Sequence, residues 1–169
     1  MSGIQQLLLG ANSGAAGGGG AAVPFELLKV ALTSNSNVNA SSSFTQRSVF
    51  STGTPLINEG GFSVSSSSIT IPSTGIYLIS GNFHFSSSVA RSNVGVRFHN
   101  QTTNTSLKDI TASNYIRNAS SHNMSSSHLT TIYEFSANDQ INTYFRLEGA
   151  TGSVTLVANS STVEILRLA

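Results

Sequence analysis

The chain contains no cysteine and no tryptophan, only three prolines, and charged side chains at only 9% of its positions. Without cysteine there is no disulfide scaffold, no thiol nucleophile and no thiolate metal site. The scarcity of charge, set against 38% hydrophobic residues, excludes the disordered class, which combines high charge with little apolar material. Two lysines and a net charge of +1 leave no basic footprint for nucleic acid. No apolar run approaches the roughly 18 residues that a membrane-spanning helix needs. What fills the chain instead is Ser, Thr and Asn, 62 of 169 residues. This is one domain's worth of neutral, hydroxyl-rich sequence, and its expected class is all-β.

Three zones follow one another. Residues 1–9 (MSGIQQLLL) place Ile4, Leu7 and Leu8 at helical spacing, with Leu9 extending the run. Nine residues cannot hold a helix alone. A docking peptide that orders on a partner is therefore expected, through Ile4, Leu7, Leu8 and Leu9. The competing readings are a frayed end and a signal peptide; the latter lacks a positive n-region and a long apolar core. Residues 10–22 form a Gly/Ala-rich linker without the Gly-X-Y period of collagen, reaching roughly 20 Å. Residues 23–169 form the domain.

Within that domain, short apolar-alternating runs are separated by polar turns. Strands are predicted at 27–33, 48–51, 62–64, 68–71, 76–85, 94–99, 129–135, 141–147, 154–157 and 163–168. In the run 76–85, Tyr77, Ile79, Phe83 and Phe85 share one face, with Gly81 leaving a gap among them. Val94, Val96 and Phe98 point inward from their strand, and Arg97 outward. Regular strands without intervening helical patterns indicate a sandwich or jelly roll.

One spacing is more specific. Phe62, six residues, Ile69, five residues, Gly75, one residue, Tyr77 resembles the motif of the trimeric jelly rolls of the complement globular head and tumour necrosis factor superfamily. IYEFSANDQI at 132–141 and VEILRL at 163–168 resemble that family's later strands, and the likeness covers about 24–169. Ile69, Ile79 and Gly81 replace usual aromatics, Asn138-Asp139 replaces Gly-Asp, and Asn58 sits one position off the family's polar site. The resemblance implies an antiparallel, tumour-necrosis-factor-like jelly roll forming a homotrimer, with first and last strands side by side at its base. Phe62, Ile69, Gly75, Tyr77, Ile79, Phe83 and Phe85 are the expected trimer or core packing residues. Separately, MSGIQQLLLG is similar to the opening residues of many structural proteins of tailed bacteriophages, especially marine ones, which implies attachment to a virion.

Catalytic chemistry finds little support. His84, His99, His122 and His128 read as surface or turn residues, carboxylates are scarce, and no GxSxG occurs. Glu59 and Asp139 are single acids in their turns, too few for Ca²⁺, and hydrogen bonds to turn amides are the expected role. No cofactor or metal is assigned. Six N-x-[ST] sequons, at Asn39, Asn100, Asn104, Asn118, Asn123 and Asn159, are expected to be unmodified. The polar stretch 111–128 reads either as a recognition loop or as an edge strand with a solvated loop. Tyr115, Arg117, His122 and Met124 are its candidate contacts to a glycan or protein. Arg97 or Arg146 is expected to pair with Glu134 or Glu148 across a sheet or subunit boundary.

The sequence therefore points to a non-enzymatic structural protein on the surface of a phage particle: a capsid decoration, short head fibre or tail-fibre component. Its partners would be itself, a capsid or tail protein bound through residues 1–9, and a host-surface glycan, with no nucleic acid and no membrane span. Two alternatives are a secreted ligand-recognition module of the same fold and a jelly-roll capsid protein of a small virus. Residues 1–22 carry no charged side chain, which argues against the latter.

Overall fold

A computed structural model describes residues 23–33, 38, 42–53, 55–107, 111–117, 122–148, 154–158 and 160–169. The docking residues Ile4, Leu7, Leu8 and Leu9 and the linker 10–22 lie outside the described residues. Among the described residues thirteen strands follow in order: β1 (Leu27–Ala31), β2 (Thr45–Gln46), β3 (Ile57–Glu59), β4 (Ser63–Val64), β5 (Ile69–Thr70), β6 (Gly75–Ser87), β7 (Ser92–Asn100), β8 (Thr105–Ser106), β9 (Ala112–Ile116), β10 (Met124–Phe135), β11 (Gln140–Glu148), β12 (Val154–Leu156) and β13 (Thr162–Arg167). All pairings are antiparallel.

The strands form two sheets. One has six strands in the order β10-β6-β13-β1-β3, with β12 beside the second half of β6. The other has seven, in the order β4-β5-β11-β7-β8, with β2 beside β11 and β9 beside β7. First and last strands are neighbours: Leu27 to Ala31 face Leu166 to Thr162 in continuous register. This is the adjacency implied by the family resemblance.

Alternation drives the sandwich, because successive strand residues face opposite sides. In β6 the odd positions 77 to 87 are buried, as the apolar pattern requires. The rings of Phe83, Phe98, Phe145 and Phe85 meet at centroid separations of 6.0 Å. Phe62 and Phe135 meet Tyr77 edge-on at 6.3 and 5.9 Å. Gly81 faces this core, and its missing side chain is necessary there. A Cβ would lie 2.4 Å from the Phe83 ring and 2.8 Å from the Phe98 ring. The gap visible in the sequence is filled by those two aromatics.

The strand map differs from expectation in the polar stretches. Residues 48–51 make one isolated bridge, Leu32 to Phe50, rather than a strand. The stretch 111–128 contains strand β9 and the first five residues of β10. In β9, Asn114 and Ile116 turn inward while Ser113 and Tyr115 face out. The short strands β2, β3 and β8 carry no apolar alternation; β2 and β3 pair with strands distant in sequence, and β8 folds back on β7 across the turn 101–104.

Candidate functional site

Three places concentrate side chains whose chemistry exceeds simple packing: the base, where the start of β1 meets the end of β13, and the outer face of each sheet.

At the base, Glu26 is 3% exposed although it is charged. Its carboxylate accepts from Ser73 Oγ and Tyr77 Oη, and from Arg167 Nη1 at 3.0 Å. Tyr77 Oη also approaches the Ser73 carbonyl at 2.8 Å. Arg167 donates a second bond from Nη2 to Thr74 O at 2.8 Å, and its backbone N–H reaches Glu26 O at 3.0 Å. Burial, and then the hydrogen bond to Glu26, push the Tyr77 hydroxyl up to about 12 from its ordinary 10.0. Two glycines permit this closure. A Cβ on Gly75 would lie 2.4 Å from Ala169 O, and one on Gly60, at φ 101°, would lie 2.5 Å from Glu26 Cγ. The cluster fastens β13 and the 71–77 turn to the residue just ahead of β1.

The outer face of the six-stranded sheet is apolar near the base. In register across it stand Ile132, Leu78, Leu166 and Leu27. Ile76 and Leu168 lie beside them, joined by Leu168 N to Ile76 O at 2.7 Å. Ile132, Leu168 and Ile76 are 52%, 47% and 40% exposed. The next row holds Lys29 and Glu164, which neutralise one another at 2.7 Å. Beyond it the face turns polar, through Asn82, His84, Ser126 and His128. Apolar surface bordered by polar residues is the kind through which proteins associate.

The residues singled out from the sequence are distributed as follows. Phe62, Ile69, Tyr77, Ile79, Phe83 and Phe85 are all buried between the sheets, with Gly75 at the base. They form the core of one chain, and the outward neighbours Ile76, Leu78 and Ile132 occupy the free face instead. Tyr115, Arg117, His122 and Met124 are exposed. Tyr115 faces out from the seven-stranded sheet, whereas Met124 stands on the open face of the six-stranded one. Asp139 anchors its turn: Oδ2 accepts from Asn100 Nδ2 and Ser136 N, both at 3.0 Å. Asn58 clamps the Gly60-Gly61 turn through two bonds to the Phe62 backbone. Among the described residues, Arg97 pairs with no carboxylate, and Glu134 lies on the opposite sheet. Arg97 is stacked on Phe44 instead, at 4.3 Å. Neither Glu26 nor Phe44 was marked by the sequence, since each acts through contacts far along the chain. Among the described residues no cluster of three or more metal-ligating side chains occurs, and no helix is long and apolar enough to cross a membrane.

No family model matches the chain, and no curated protein matches it. Solved structures do. Murine APRIL is similar at TM-score 0.58 and 16% identity, over 85% of this chain and 99% of that one. Eiger TNF from S. frugiperda is similar at TM-score 0.56 and 13% identity, over 87% and 94%. At such identities the likeness concerns architecture. Together with two antiparallel sheets and adjoining first and last strands, it shows that the chain folds as a tumour-necrosis-factor-like jelly roll.

Proposed function

We propose that this chain is a non-enzymatic, homotrimeric structural protein of a tailed-bacteriophage virion. Residues 1–9 fix it to a capsid or tail protein, residues 10–22 tether it, and the jelly roll projects from the particle surface toward host-surface glycans. The observation that carries the homotrimer is the apolar band of Ile76, Leu78, Ile132, Leu166 and Leu168. Its internally neutralised Lys29–Glu164 pair also supports self-association, because a neutral face can pack against copies of itself without burying unpaired charge. The opening decapeptide's likeness to phage structural proteins supports the virion setting.

Light scattering of the full chain should give three times 17.6 kDa. Ile132→Glu should give the monomer with an unchanged β-sheet spectrum. A wild-type monomer would end the trimer reading. Deleting residues 1–9 should preserve the trimer but abolish incorporation into particles.

A second reading is a ligand-recognition module of the same fold, favoured by the architectural likeness to APRIL and Eiger TNF. Particles that incorporate the truncated protein normally would favour it.

A further inference from the structure

The outer face of the seven-stranded sheet carries a cluster independent of the apolar band. Outward positions on β7 are Gly95, Arg97 and His99, and their register partners on β11 are Arg146, Tyr144 and Asn142. Phe44, just ahead of β2, lies among them. The Arg97 guanidinium is 4.3 Å from the Phe44 ring centre and 5.7 Å from that of Tyr144, and Arg146 stacks on Phe44 at 4.7 Å. The His99 and Tyr144 rings are 4.4 Å apart. Gly95 provides the floor: a Cβ there would lie 3.0 Å from Arg146 Cγ and 3.4 Å from the Phe44 ring.

Several polar atoms end in this cluster without a partner. Among the described residues the Arg97 side chain makes neither an ion pair nor a hydrogen bond, and its Nε is buried. His99 Nδ1 and Asn142 Oδ1 are also buried and unpartnered, in side chains that are 5% and 0% exposed. His99 Nε2 lies 3.2 Å from Asn104 Oδ1. The neutral ring therefore donates there and keeps Nδ1 as an acceptor. Buried polar atoms ordinarily find partners, so three unmet ones on one face require an explanation.

The chemistry narrows the ligand. A guanidinium flanked by rings and free of counter-charge presents a planar fork suited to a carboxylate. The flat rings beside it offer apolar surface to the C–H face of a sugar. The face is in mid-sheet, with β9 beyond β7 and β2 beyond β11, so β7 and β11 offer no open edge here for peptide addition among the described residues. Eight Lys and Arg in the whole chain are too few for a track of phosphates.

We propose that the cluster of Arg97, Phe44, Tyr144 and His99 binds a carboxylate-bearing sugar of an acidic surface glycan. This deepens the adhesive part of the proposed function. It is separable from the trimer and docking claims, because the cluster lies on the sheet opposite the apolar band.

The test is saturation-transfer-difference NMR on the full chain with trigalacturonate and 3′-sialyllactose. Their uncharged counterparts, methyl-esterified trigalacturonate and lactose, serve as controls. At least one acidic probe should bind at least tenfold more tightly than its counterpart. Arg97→Gln should abolish that preference, while Arg97→Lys, which keeps charge but loses the fork, should weaken it. The melting temperature and scattering mass of each variant provide the structural control. Absence of binding by both acidic probes, equal binding of a neutral counterpart, or an unaffected Arg97→Lys variant would overturn the proposal. Loss of particle attachment or trimer formation elsewhere would leave this result unchanged.

Discussion

Charge is handled in two opposite ways in this molecule. At the base, Glu26 is buried beneath the half-buried Arg167, and the carboxylate is met by a guanidinium, a phenol and a serine hydroxyl. On the outer sheet, Arg97 is half-buried against aromatic rings, with no ionic partner among the described residues. The base cluster is complete, and each of its groups exists to satisfy another group of the same chain. The outer cluster is incomplete in the same terms. The difference separates a fastening from a receiving surface, and it makes unequal predictions for stability.

The largest effect is expected at the base. Arg167→Ala leaves the Glu26 carboxylate buried without its cation, a loss of about 3–5 kcal/mol in unfolding free energy. Chemical denaturation measures it directly, and a loss below 1 kcal/mol would show that the pair is replaceable by water. Glu26→Gln with Arg167→Met should recover part of the stability, since removing both charges relieves the desolvation cost.

Tyr77→Phe comes next, at about 1–3 kcal/mol, because it strips one donor from a buried carboxylate. Its pH dependence has a definite sign. The folded-state value of about 12 is above the ordinary 10.0, so the native phenol holds its proton more tightly than the unfolded one. The stability it contributes is complete below pH 10 and is lost as pH rises toward 12. The Phe variant should lose that alkaline limb in a urea series, whereas an unchanged limb would assign it to another group.

Arg97→Gln should cost far less, about 0.5–1 kcal/mol, as expected for a partly exposed cation on a ring. A loss comparable to that of Arg167→Ala would erase the contrast and make the outer cluster a second fastening.

What the sequence revealed follows the range of the interactions. The alternation of Tyr77, Ile79, Phe83 and Phe85 is local, so strand β6 and its buried face are legible without a structure. The turn from Pro72 to Gly75 is legible for the same reason, being made by neighbouring residues. Glu26 is not, because its partner Arg167 is 141 positions away. Phe44 precedes a two-residue strand without periodicity, and it matters only because β7 and β11 bring arginines to it. Strand β9 was obscured because its outward side chains are polar and its inward Asn114 is polar too. Hydrophobic patterning marks what is buried by apolar contact. It does not mark polar groups whose burial depends on distant partners.

The smallest effect is also the most diagnostic of the outer cluster. Burial pulls His99 below its usual 6.5, and the charge of Arg97 adds to that pull against the opposing hydrogen bond that the ring donates to Asn104. The ring packs against Tyr144 and stands opposite Asn142, neither of which supplies counter-charge. A depressed value means that the unfolded chain binds this proton more readily than the native state. His99 therefore contributes stability above pH 6.5, and that contribution is lost as pH falls below it. Following the His99 ring proton by NMR should locate a midpoint below the ordinary one. Arg97→Gln should move that midpoint upward without restoring it fully, since burial is the larger cause. A carboxylate seated on Arg97 would cancel the same charge, so whichever acidic probe binds should at saturation also raise it in the wild type and leave the Gln variant unmoved. A midpoint indifferent to both changes would mean that Arg97 and His99 share a face but no electrostatic environment.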